Sequence, residues 1–156
     1  MSVFASWYLS SKNSKGMSRL SFDRATLKDV KRIVIKVGSS TITYGNGKRN
    51  FSRIDRLARE IADLENQGKE IILVSSGAVA VGVDRLGLAA KPKTIPGKQA
   101  AAAVGQGVLM HTYEKIFAEY GQIVAQVLLT RMDSVDRHRY TNSRNTFLAL
   151  LEHKVI

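Results

Sequence analysis

The sequence predicts an α/β protein with a parallel sheet covered by helices on both faces. This is a three-layer α/β/α arrangement, truncated after about three to four strands. Three observations predict it. Short apolar runs rich in β-branched residues recur at 33–37, 70–74 and 123–129, and runs of that length suit strands buried in a parallel sheet. Between the first two lies a stretch with Ile54, Leu57, Ala58, Ile61 and Leu64 at helical spacing. A strand, a helix and a second strand in that order form a βαβ unit, which is right-handed and parallel. Finally, Gly68, Gly87 and Gly121 each follow a helical stretch, where a glycine readily takes the left-handed C′ position.

Composition narrows the class. The 156 residues are enough for one domain with a real core. Hydrophobic residues make up 44% and charged residues 24%, an ordinary globular balance. No apolar run approaches the ~20 residues of a membrane span, so no membrane partner is expected. The chain has no cysteine, which removes disulfides and thiolate metal sites and fits a reducing, cytoplasmic setting. His111, His138 and His153 show no ligand spacing, so no residue is assigned to a metal. The net charge is +11, of which residues 1–32 carry +5 and the rest +6. That excess attracts nucleic acid or a small anionic substrate. Without a dense basic stripe interleaved with aromatics, the small anion is favoured over nucleic acid.

Taken in order, residues 1–30 read as a flexible N-terminal extension, serine-rich, basic and without period. The lack of acids before Asp23 faintly resembles an organellar transit peptide, although a plain disordered extension is the simpler account. Residues 25–31 are expected to form a short helical lead-in.

The first strand contains four β-branched apolar residues among the five from Ile33 to Val37, with Lys36 inside the run. A lysine there is out of place as core packing. It fits if its ammonium emerges at the strand's C-terminal edge, where open α/β sheets bind ligands. Gly38 would let backbone amides approach an anion closely, followed by Ser39, Ser40 and Thr41. A surface lysine beside an ordinary turn would give the same letters. After a glycine-bearing loop at 43–48, Ser52 is expected to cap the next helix, with Asp55 completing a capping box.

The second strand, Glu70–Val74, runs into Ser75, Ser76, Gly77 and Ala78, where a helix begins. Amides at a helix start would hold a carboxylate or phosphate there. Alternatively, Ser76 merely caps the helix and Gly77 merely eases packing. Residues 91–97 hold both prolines and read as a loop, after which a long helix spans about Lys98 to Tyr120. Its many small residues between Ala100 and Gly107 allow close approach of another backbone. The third strand, Ile123–Leu129, is followed by a polar segment over 130–140 whose charges are expected to pair on a solvated surface. A helix over Asn142–His153 should turn Phe147, Leu148, Leu150 and Leu151 toward a core. Lys154, Val155 and Ile156 open a further apolar run, so the sequence reads as a truncated domain.

With these pieces placed, the sequence resembles the amino acid kinase family, and within it the branch that phosphorylates glutamate. The segments that carry the resemblance are Val34-Ile35-Lys36-Val37-Gly38-Ser39-Ser40, Val74-Ser75-Ser76-Gly77-Ala78, Gly97-Lys98-Gln99 with Ala102-Ala103-Val104-Gly105-Gln106, and Leu128-Leu129-Thr130-Arg131. Together they run from about Lys31 to Ile156, the N-terminal portion of such a domain. Acetylglutamate kinases typically carry a His-Gly-Gly loop where this chain has Ser-Ser-Gly-Ala.

The resemblance implies transfer of phosphate from ATP, with Mg2+, to the γ-carboxylate of L-glutamate, the first step of proline biosynthesis. Lys36 would be the catalytic lysine on the ATP phosphates, with Gly38 and Ser39 lining the phosphate path. Ser76, Gly77 and Ala78 would contact glutamate. The small-residue helix would border the glutamate pocket and a subunit contact, so the full-length protein is expected to be a homo-oligomer. The family's Asn-Glu-Asn-Asp segment, its organising aspartate and its second catalytic lysine are not in this sequence, which implies an inactive fragment. Two other readings stay open: a kinase of the same fold acting on aspartate, a nucleotide monophosphate or a small phosphate ester, and a basic nucleic-acid-binding module.

Overall fold

The structure, a computed structural model, describes residues 29–156. Residues 1–28, which hold nearly all of the expected extension and most of the expected helical lead-in, lie outside the described residues. Two strands form a parallel sheet, β1 (Arg32–Val37) and β2 (Glu70–Ser75), in a register that sets Arg32 beside Glu70 and Val37 beside Ser75. Between them come α1 (Ser39–Ile42) and α2 (Phe51–Asn66); after them come α3 (Ala78–Arg85), α4 (Ile95–Ala118), α5 (Arg131–Val135) and α6 (Arg137–Glu152).

The expected βαβ unit is present, with α2 as its crossover. Helix α2 starts two residues earlier than Ser52 suggests. Asn50 is the N-cap, its Oδ1 accepting from the Arg53 amide at 3.1 Å. Both residues are capping types; the one that makes the bond, Asn50, is only 5% exposed. At the other end Gly68 takes φ 83°, and the Gly68 and Lys69 amides donate to the Glu65 and Leu64 carbonyls, a Schellman closure.

The core lies on one face of the sheet. Ile33, Ile35, Val37, Ile71 and Leu73 point to it and meet Ile54, Ala58 and Ile61 of α2 and Leu109, Tyr113 and Phe117 of α4. The even-numbered residues point the other way, and Val34 on that face is 55% exposed. β1 is therefore not buried on both faces, because α2 and α4 pack on the same side.

Glycine sets how α3 and α4 meet. A Cβ on Gly82 would overlap the Ala101 carbonyl, and one on Gly105 would overlap the Ala78 carbonyl. The small residues of α4 thus serve a backbone-to-backbone helix contact. Helix α4 begins at Ile95, inside the expected loop, with Thr94 as its N-cap. Pro96 is tolerated because the first-turn amides have no intrahelical partner to lose.

Three expectations for the C-terminal third are corrected. The run at 123–129 joins no ladder. Among the described residues its strand-like link is to Ile156, whose amide donates to the Ile123 carbonyl at 3.0 Å and whose carbonyl accepts from Ala125 at 2.9 Å. Those two bonds bracket Val124 in the parallel pattern. The polar segment is not a set of surface ion pairs. The Asp133 carboxylate accepts from the Thr130 amide at 2.6 Å and Asp136 accepts from the Arg139 amide at 2.9 Å, each closing a helix start. Helix α6 accordingly begins at Arg137 rather than Asn142; of its four expected core residues Leu151 is buried and Phe147, Leu148 and Leu150 are half-buried.

Candidate functional site

β1 and β2 end at the same level, since Val37 and Ser75 are register partners and are the last residues of their strands. Gly38 and Ser39 follow one tip; Ser76, Gly77 and Ala78 follow the other. The six candidate residues therefore gather at a single sheet edge.

Lys36 sits one position before the tip of β1, beside Val74, on the open face of the sheet. It is exposed, and none of the hydrogen bonds or ion pairs found among the described residues uses its ammonium. Gly38 is the N-cap of α1 at φ −82° and ψ 162°, a conformation open to any residue. A Cβ there would meet only Ser40 Oγ, at 3.9 Å. Neither backbone nor packing demands a glycine, and the space beside Gly38 is open. Ser39 is exposed beside it. The turn is held from behind: Ile42 is 1% exposed, and Arg53 donates to the Ser40 carbonyl at 3.2 Å.

Ser76 does not cap α3. Its amide and its hydroxyl both donate to the Val37 carbonyl, at 3.2 and 3.1 Å. The N-cap is Gly77, at φ 125°, a region L side chains rarely adopt, and α3 has no side-chain cap. A Cβ on Gly77 would also lie 2.9 Å from Ile42 Cδ1. Here, unlike at Gly38, the fold itself requires glycine. Ala78 follows as the first residue of α3, half-buried.

One contact behind this edge was not legible in the sequence. Tyr113 of α4, 4% exposed, shares a 2.7 Å hydrogen bond with Ser75 Oγ at the last ladder position of β2. Burial holds the phenol's pKa above its ordinary value, and the hydrogen bond with Ser75 partly offsets that. In sequence Tyr113 reads only as one more large residue on a core helix.

At the opposite end of the sheet, Glu70 receives Arg32 at 2.6 Å and Lys31 at 3.2 Å. Hydrogen bonds from Arg32 and then Lys31 hold its carboxyl below the usual value. A cleft of about 410 Å³ opens there between the strand starts and the end of α6. It touches none of the six candidate residues, and its place at the strands' N-terminal ends is the wrong edge for a ligand site of this fold class. No group of three or more His, Asp or Glu among the described residues could hold a metal ion. No helix among them is long and apolar enough to cross a membrane.

Comparison with known proteins places this edge in a family context. The amino acid kinase family model matches residues 31–156. The glutamate 5-kinase of Clostridium tetani is 62% identical over 130 residues, covering 83% of this chain and 49% of that protein. The glutamate 5-kinase of Clostridium acetobutylicum gives the same identity and coverage. That of Moorella thermoacetica is 58% identical over 133 residues, covering 85% of this chain and 35% of that protein. The chain thus spans about half the length of the first two relatives and about a third of the last.

Proposed function

The chain belongs to the amino acid kinase family, and from that premise we propose that it carries the donor edge and part of the acceptor edge of a glutamate-phosphorylating kinase. In that reaction a γ-carboxylate oxygen of L-glutamate attacks the γ-phosphorus of ATP. The new bond makes an acyl phosphate, the bond to the β-phosphate breaks, and ADP leaves. The product would be glutamyl 5-phosphate, which enters proline biosynthesis.

A single observation carries the reading: the tips of β1 and β2 end side by side, joined through Ser76 and the Val37 carbonyl. Lys36 on one tip would neutralise charge on the transferring phosphoryl group, and Gly38 and Ser39 would line its path. Ser76, Gly77 and Ala78 on the other would hold glutamate. A carboxylate is already a nucleophile at neutral pH, so no general base is needed and catalysis rests on alignment and charge. ATP is the donor in this reading. Magnesium, usual for such a nucleotide, finds no cluster of carboxylates among the described residues, so the contacts proposed are those of the chain's own side chains and amides.

Residues 31–156 are then the N-terminal portion of a three-layer kinase domain that assembles as a homo-oligomer in the cytoplasm. The 156-residue chain alone would turn over no substrate, since it spans about half the length of its relatives. Trapping acyl phosphate as the hydroxamate tests this. The purified chain should give no ATP-dependent signal, and a fusion to the remaining half of the Clostridium tetani relative should respond to glutamate. Turnover by the chain alone would overturn the inactivity. A folded fusion that phosphorylates aspartate or a nucleotide monophosphate, but not glutamate, would overturn the substrate.

A further inference from the structure

We propose that Tyr113 is a positioning residue: through Ser75 its phenol fixes the tip of β2, so that Ser76 keeps its two bonds to the Val37 carbonyl. The inference rests on reading Ser76 to Ala78 as the acceptor side of the site.

Ser75 is the last residue of β2 in the ladder, and beyond it the backbone turns sharply through Gly77 at φ 125°. A strand end with no further ladder bonds frays unless something holds it. The side chain of Ser75 points to the core face, opposite to Lys36, and meets Tyr113 at 2.7 Å. The ring is packed along its helix. Leu109 and Phe117, one turn away on either side, are 2% and 0% exposed, and the Phe117 ring lies 6.3 Å from that of Tyr113. A phenylalanine would fill this position without a hydroxyl to satisfy, and a buried hydroxyl is costly unless bonded. The oxygen is therefore best explained by what it holds. Ser75 lies directly before Ser76 and directly beside Val37, so one hydroxyl pair steadies both partners of the tip.

Residue-resolved amide hydrogen exchange on the 156-residue chain tests this without requiring turnover, so its failure is separable from failure of the kinase reading. In Tyr113→Phe, and equally in Ser75→Ala, the Ser76 amide should exchange roughly tenfold faster. The Ile61 amide in α2 should stay within about twofold. Ser75→Thr, which keeps a hydroxyl, should restore slow exchange at Ser76. Unchanged exchange at Ser76 in both variants would overturn the proposal. So would an acceleration spread evenly over α2 and β2, because that marks a contact that only stabilises the fold. No recovery in Ser75→Thr would overturn it as well.

Discussion

Ser76 gives both its amide and its hydroxyl hydrogen to the carbonyl of Val37, at 3.2 and 3.1 Å. Ser76, on the proposed glutamate side, is thereby tied to the residue that follows Lys36. In this geometry the Ser76 hydroxyl offers a ligand its lone pairs rather than its proton. In the proposed glutamate site, donors for the carboxylate would then come from the uncapped first turn of α3.

Replacing Lys36 by Met should separate folding from function. The side chain is exposed, so urea unfolding of the chain should shift by no more than about 0.5 kcal/mol. Hydroxamate formation by the fused kinase should fall by at least about 100-fold. A loss of stability with turnover intact would assign Lys36 to the fold instead.

Gly38 and Gly77 should respond oppositely to alanine. Gly38→Ala, at an ordinary φ and with open space, should leave unfolding within about 0.5 kcal/mol while raising the KM for ATP in the fused kinase. Gly77→Ala, at φ 125° and against Ile42, should cost about 2 kcal/mol or more in the isolated chain. Chemical denaturation of the two variants side by side reads the contrast.

Gly82→Ala and Gly105→Ala should each be more damaging still. The added carbon would overlap a backbone carbonyl of the neighbouring helix, which cannot rotate away as a side chain can. A loss of more than about 3 kcal/mol is expected, seen as a lowered melting temperature or as insoluble expression. Gly107→Ala, on the same helix with nothing within 4 Å, serves as the neutral control.

Stability should fall at both ends of the pH scale for different reasons. Glu70 has its pKa lowered in the fold by Arg32 and Lys31, so its contribution is present above the unfolded value and is lost as pH falls through the folded one. Tyr113 has its pKa raised by burial, so its contribution is complete below the unfolded value near 10 and is lost as pH rises through the folded one. Urea midpoints against pH should flatten on the acid side in Glu70→Gln and on the alkaline side in Tyr113→Phe.

These residues also mark how far the sequence could be read. The βαβ unit, α3, α4 and the glycines closing α2, α3 and α4 were legible, because period and left-handed glycine are local signals. The gathering of Lys36, Gly38 and Ser39 with Ser76, Gly77 and Ala78 followed from parallel pairing alone. Residue type did not separate Asn50 from Ser52 as cap, since both are capping residues. In sequence Asp133 and Asp136 look like ion-pair members, because a helix start and a charged loop share the same composition. The run at 123–129 has strand composition, but a strand needs a partner along its length, and among the described residues it meets only Ile156. The Tyr113 contact depends on α4 lying over the sheet, which no local pattern encodes.

The ladder between Arg32 and Glu70 joins residues 38 positions apart, and this separation bears on the rate of folding. Closing so long a loop is entropically uphill before any ladder bond forms. Helix α2 takes up 16 of the intervening residues and carries its own stops at Asn50 and Gly68. Once formed, it shortens the search that brings the strands together. Changes at those stops, such as Asn50→Ala, should therefore act mainly by slowing folding. Ser76→Ala, which removes a contact made after the strands align, should act mainly by hastening unfolding.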